Sequence, residues 1–183
     1  MNSLKIDTIC GFKSKETEFL SNTYETIMLY DNNLFNSSEA AYQYAKCALD
    51  EDKEKFLMYK NLSPYECKSL GKSIKKRDDW DNIKLGVMFD IVFIKFHDNL
   101  DLMRKLVKTG RSILIEDNFW KDRFWGIYQG RGENWLGLIL MDVRTICQLE
   151  LSNDFLGKDK LINSIYTGIY NNYHKGDGRY GRK

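Results

Sequence analysis

The run RDDWDNIKLGVM at residues 77–88, continued to His97, constrains the fold more than any other stretch of the chain. Apolar Ile83, Val87, Ile91 and Ile94 recur at helical spacing, so a helix is expected over about 80–97, capped by Asp78 or Asp79. Just before it, Ser63-Pro64-Tyr65-Glu66 has the form of a capping box with proline at the first helical position. That predicts a second helix from Ser63 to about Lys75. Ser37 or Ser38 is placed to cap a helix running to about Leu49, and shorter helices are expected over 51–60 and 99–108. The latter stops at Thr109-Gly110, and helices over 135–149 and 158–172 complete the set. Extended character is confined to residues 5–12, to 25–36 with Asp31-Asn32-Asn33 as a turn, and to a short strand at Ser112–Ile115. The expectation is a mostly helical α+β domain with short N-terminal strands.

Composition limits what such a domain does. At 183 residues the chain is long enough to bury a core without staples, and its single proline argues against linkers. We expect residues 1–150 to form the functional domain, with 151–183 a helical extension ending in a flexible basic tail. In that tail Lys175, Arg179, Arg182 and Lys183 oppose only Asp177. Net charge over the whole chain is +2, too balanced for non-specific nucleic-acid binding by the entire surface. The start lacks the pattern of a signal peptide, and the apolar stretch at 86–96 is interrupted by Asp90 and Lys95. Cys10, Cys47, Cys67 and Cys147 are scattered, as in a reduced, cytoplasmic protein with no membrane association. With only His97 and His174 available, far apart and without ligand spacing, no metal site is expected. Acid–base work would fall to Asp, Glu, Lys or Tyr.

Three stretches concentrate side chains suited to chemistry. In SSEAAYQYAKC at 37–47, Glu39, Tyr42, Gln43 and Lys46 share one helical stripe, while Ala41, Ala45 and Ala48 form a small-residue stripe for close packing. A carboxylate and an amine projecting from one rigid helix suit acid–base or amine-nucleophile chemistry. On the long helix, Trp80, Lys84 and Met88 lie four apart, which places Lys84 among apolar neighbours. There it either snorkels outward or is desolvated into a better nucleophile. Finally, Glu116 and Asp122 flank an aromatic segment in which Trp120, Phe124 and Trp125 are arranged to offer a flat platform for a base. The glycines of DRFWGIYQGRGENWLG that follow match neither the dinucleotide nor the triphosphate loop.

Taken together, FLSNTY (19–24), SSEAAYQYAK (37–46), SPYECKSLGKSIKKRDDWDNIKLGVM (63–88), KF (95–96), TG and LIE (109–116), DRFWG, GRGENWLG and LMDVR resemble the NADAR, or YbiA-like, family over residues 8–148. The resemblance implies a compact, mostly helical α+β domain and an N-glycosidase. Such an enzyme cleaves a base or amine from C1 of a ribose phosphate and needs no cofactor. One branch acts on ribosylamino-pyrimidine intermediates of riboflavin biosynthesis, another on ADP-ribosylated guanine in nucleic acid. The chemistry suits Glu39 as general acid and later base, with a lysine as Schiff-base nucleophile, Lys84 first for its apolar setting and Lys46 next, and Asp122 beside the reacting sugar. A mechanism without a covalent step, in which Glu39 or Asp122 activates water, stays open. The substrate-binding set would be Ser21, Asn22, Tyr42, Gln43, Arg77, Trp80, Trp125, Gly126, Gly132, Asn134, Gly137 and Arg144, with the Asn134 amide approaching a ribose phosphate. Ala40, Thr23 and Ile127 depart from the usual pattern, which bears on substrate choice. A non-catalytic ADP-ribose or NAD sensor using Trp120, Trp125, Arg131 and Asn134 is the alternative, and the basic tail would suit an ADP-ribosylated DNA or RNA.

Overall fold

The computed structural model describes residues 7–152 and 158–174. The long helix, α4 (Trp80–His97), has the bounds expected from its periodicity and is the axis of the molecule. Around it lie α1 (Ser38–Lys46), α5 (Leu100–Lys108), α6 (Trp135–Leu151) and α7 (Lys158–His174), with α3 (Pro64–Leu70) against α1 and the four-residue α2 (Asp50–Lys53) beyond it. Because α4 has neighbours on several sides, its buried surface is wider than one stripe. Met88, Phe89, Ile91, Val92 and Phe96 are fully buried, whereas Ile83, Val87 and Ile94 are only partly so. A helix apolar nearly all round is what a central position requires.

Two small sheets frame this core. β1 (Thr8–Cys10) pairs in parallel with β4 (Ile113–Ile115), and β2 (Glu25–Tyr30) forms an antiparallel hairpin with β3 (Asn33–Ser37). The hairpin turn is left-handed at both Asp31 (φ 49°) and Asn32 (φ 58°), the geometry for which such residues are favoured. β3 runs straight into α1, and Ser37 caps it by accepting from the Ala40 amide.

Several element ends differ from their sequence expectations. α1 stops at Lys46 instead of about Leu49 because Cys47 turns extended and bridges to Lys76. Ala48 therefore lies beyond the small-residue stripe. Residues 54–60 form two 3-10 turns instead of continuing one helix. The capping box at Ser63 and Glu66 is fully formed, but α3 ends at Leu70 rather than Lys75. Asp79 occupies the N-cap of α4 without capping it, since its carboxylate is taken by Arg77 at 2.6 Å. Among the described residues beyond 150, α7 is packed onto the core. Phe89 of α4 stacks on Tyr173 of α7 (5.1 Å, 16°), and Tyr173 donates to Asp142 of α6 at 2.7 Å. The basic tail falls outside the described residues. Among the described residues no helix is long and apolar enough to cross a membrane.

Candidate active site

A cleft of about 1460 Å³ opens between α1, α3, the start of α4 and the loops after β1, before β2 and after β4. Ten of the expected residues line it: Ser21, Asn22, Glu39, Tyr42, Gln43, Lys46, Trp80, Lys84, Asp122 and Trp125. The α1 stripe thus faces the cleft instead of forming a solvated face, with Glu39, Tyr42 and Gln43 all under a tenth exposed.

Glu39 sits in the first turn of α1, anchored by its own amide to the Asn22 carbonyl (2.9 Å) and through Oε1 by the Gln43 amide (2.8 Å). Burial raises its carboxyl well above the ordinary range, with the Gln43 hydrogen bond and the charges of Lys68 and Lys46 pulling the other way. Gln43 is pressed against α3's trailing glycine. A Cβ at Gly71 would come within 2.0 Å of Gln43 Oε1. Lys46 lies half-buried two turns from Glu39 and donates to the Gly71 carbonyl. Burial lowers its pKa, opposed by Glu39. Lys84 stands differently from its expected apolar setting. Its ammonium pairs with Asp81 at 3.2 Å and lies 4.1 Å from the Phe124 ring centre, so the helix start supplies it with a counter-charge.

Asp122 turns inward because one oxygen accepts from the amides of Phe124 and Trp125, both at 2.9 Å, while Asn118 ties down its backbone. The rings form no single platform. Phe124 and Trp125 meet edge to face at 89°, Trp125 meets Tyr42 at 88°, and Trp120 pairs instead with Phe119.

The remaining expected residues lie outside the cleft lining and act as scaffold. Gly126 and Gly132 allow two loop strands to touch, since a Cβ at either would stand 2.2 Å from a backbone oxygen. Gly132 also has φ 153°. Gly137 lets α6 pack on β4, with Leu114 O only 2.1 Å from a built Cβ. The Asn134 amide is spent on β4, accepting from the Glu116 amide (3.0 Å) and donating to the Leu114 carbonyl (2.9 Å), and so does not reach toward a phosphate. Buried Arg144 joins Thr109 and the Ser112 carbonyl, and Arg77 pairs with Asp79 at the surface.

Two residues not counted among the expected site groups now stand out. Glu116 lines the cleft, burial pushes its carboxyl up to about 7, and its Oε2 is buried with no partner. Its position after an apolar strand and before an aromatic loop was the available signal. Lys95, fully buried and lowered to about 7, donates to the Ser21 carbonyl at 2.7 Å and so fixes the cleft wall from behind. Asn22 Oδ1 and Gln43 Oε1 are likewise buried without partners in the same lining. Three orphaned acceptors in one cleft describe a cavity built for a ligand rich in hydroxyl or amino donors. Among the described residues, no group of three His, Cys, Asp or Glu side chains is placed to hold a metal ion.

A mostly helical α+β domain with a buried carboxylate–lysine stripe in one deep cleft defines the class. The model of the NADAR domain matches residues 9–148, and the chain belongs to that family. It is similar to the N-glycosidase Npun_R5314 of Nostoc punctiforme, 37% identical over 48% of this chain and 58% of that one. It also matches the riboflavin biosynthesis protein VVA0006 of Vibrio vulnificus, 36% identical over 69% of this chain but only 34% of that protein. The N-glycosidase YbiA of Escherichia coli is 28% identical over 79% of this chain and 91% of its own length. The NMR structure of E. coli YbiA superposes with a TM-score of 0.71 at 25% identity, covering 85% of this chain and 94% of the other.

Proposed function

We propose that this chain is an N-glycosidase that hydrolyses the C–N bond between C1 of a ribosyl phosphate and a base or amine. The observation that carries the reading is the buried Glu39 carboxyl, raised by its setting and sharing the cleft with a lysine whose pKa is lowered. A carboxyl that keeps its proton can deliver it to a leaving nitrogen, and an amine freed of its proton can attack carbon. In this scheme the Glu39 proton passes to the ring oxygen as the lone pair of the glycosidic nitrogen opens the sugar to an iminium at C1. A lysine amine then adds to C1, its surplus proton passes through Glu39 to the glycosidic nitrogen, and the old C–N bond breaks as the base leaves, giving a Schiff base. Water, deprotonated by Glu39, adds to that carbon and releases the free sugar and the lysine. Lys46 suits the nucleophile's role better than Lys84, because burial lowers the pKa of Lys46 whereas the Lys84 ammonium is held by Asp81. Asp122 and the orphaned acceptors on Asn22, Gln43 and Glu116 face the sugar's hydroxyls.

The substrate class is either a ribosylamino-pyrimidine phosphate, as the names of the riboflavin-associated relatives suggest, or ADP-ribosylated guanine in nucleic acid. The tail beyond residue 174 would assist the latter. Borohydride added during turnover tests the chemistry. Reduction should leave a sugar covalently on Lys46, and the adduct should vanish in Lys46→Arg. Continued turnover with no adduct on any lysine would sink the covalent route and leave direct attack of water. Binding without turnover of either substrate would instead identify a sensor.

A further inference from the structure

Apart from the exposed Lys72, the lysines of the cleft divide into two groups. Lys46 is committed to the Gly71 carbonyl, and Lys76 and Lys84 both pair with Asp81. Lys13, on the loop after β1, and Lys68, on α3, are different. Both line the cleft, and among the described residues neither ammonium has a hydrogen-bonding or ion-pair partner. What holds them is aromatic. Lys68 Nζ lies 4.4 Å from the Trp120 ring centre, while Lys13 Nζ lies 5.1 Å from the same centre and 4.2 Å from that of Phe119. The two rings lock edge to face at 5.1 Å, and Phe119 is 74% exposed, an arrangement the core does not need. Two cations from separate elements therefore converge at the cleft mouth with no paired carboxylate. Lys68 is within electrostatic reach of Glu39 and Glu116, and Lys13 of Glu116, which connects this corner to the reacting end.

We propose that Lys13 and Lys68, presented on the Phe119–Trp120 pair, form an anion clamp that holds the phosphate of the ribosyl substrate. The inference rests on the N-glycosidase reading for the identity of the sugar. Two unpaired ammoniums favour a doubly charged oxyanion, and the aromatic faces keep their aliphatic stems ordered without neutralising them. The shared chemistry is a phosphate ester. It belongs either to a terminal 5-phosphate or to the diphosphate of an ADP-ribosyl group.

The test is equilibrium binding of ribose, ribose 5-phosphate and ADP-ribose to the full chain, as wild type and as the Lys13→Gln/Lys68→Gln double variant. Wild type should prefer at least one phosphorylated ligand over ribose by about ten-fold or more, with an affinity that falls as salt rises. The double variant should lose that preference. Loss confined to ADP-ribose assigns the clamp to a diphosphate, and loss with ribose 5-phosphate assigns it to a monophosphate. A double variant that melts like wild type yet keeps the full preference for both ligands overturns the proposal, as does a wild type that never discriminates. Glycosidic cleavage by wild type is scored separately. Cleavage with an unchanged double-variant preference removes only the clamp, and phosphate preference without cleavage removes only the enzyme reading.

Discussion

At the residue scale, the proposed chemistry falls to groups whose protonation is set by burial. Glu39→Gln keeps the hydrogen-bonding shape and removes the transferable proton. It is expected to lower kcat by about 10²- to 10⁴-fold with ligand affinity largely retained, as measured by single-turnover hydrolysis beside calorimetric binding. Glu116 makes a separate, thermodynamic prediction. Its carboxyl is raised to about 7 in the fold against 4.5 for an ordinary glutamate. The folded state therefore holds this proton more tightly than the unfolded chain. Its contribution to stability is complete below about pH 4.5 and is lost as pH rises through 7. Glu116→Gln should accordingly gain stability over wild type above pH 7, and the gap should close in acid. Melting curves across that range check it, and equal curves at pH 8 would refute the buried-acid description.

Glu39, Lys46 and Tyr42 were legible from spacing on one helix, because a single element fixes their relation. Lys68, Lys95 and the role of Asn134 were not. Each depends on a partner far away in sequence: Trp120, the Ser21 carbonyl and the β4 backbone. No local periodicity encodes such a meeting.

At the scale of elements, the site depends on how α1 starts and what α3 leaves room for. Ser37, wholly buried, caps α1 two residues before Glu39. Ser37→Ala should cost roughly 1–2 kcal/mol of stability and reduce kcat, since it frees the turn carrying the acid. Gly71→Ala tests the wall opposite. Its backbone (φ −60°) accepts alanine without strain, so any effect comes from the methyl group meeting Gln43. The expected result is a fall in kcat larger than the change in melting temperature, as Gln43 is pushed off Glu39. An unchanged kcat would show that the Gln43 contact does not matter. Element identity was readable where signals are local, as in α4's periodicity, the Ser63 capping box and the Asp31–Asn32 turn. Element ends were not, because the Cys47–Lys76 bridge and the approach of Gln43 to Gly71 decide where α1 and α3 stop.

At the scale of the whole molecule, α7 closes the side of α4 away from the cleft. Its last described residue, His174, stacks on Tyr170 at 3.7 Å and reaches Asp90 at 3.0 Å, while Gly86 leaves space for the ring. Burial lowers the imidazole's pKa, but Asp90 and the Tyr170 carbonyl outweigh it and the net shift is upward. That contribution is fully present below the imidazole's ordinary pKa and is lost as pH rises through the folded value. Hydrogen exchange should find α7 opening more often at pH 8.5 than at pH 6, and Asp90→Asn should flatten the difference.

The whole account turns on cleavage at C1. Wild type and Glu39→Gln should be incubated with a ribosylamino-pyrimidine phosphate and with an ADP-ribosylated-guanine oligonucleotide, and the released ribose phosphate or ADP-ribose quantified. The account predicts release from one of the two by wild type, and binding without release by the variant. Wild type that binds both substrates and cleaves neither would contradict it.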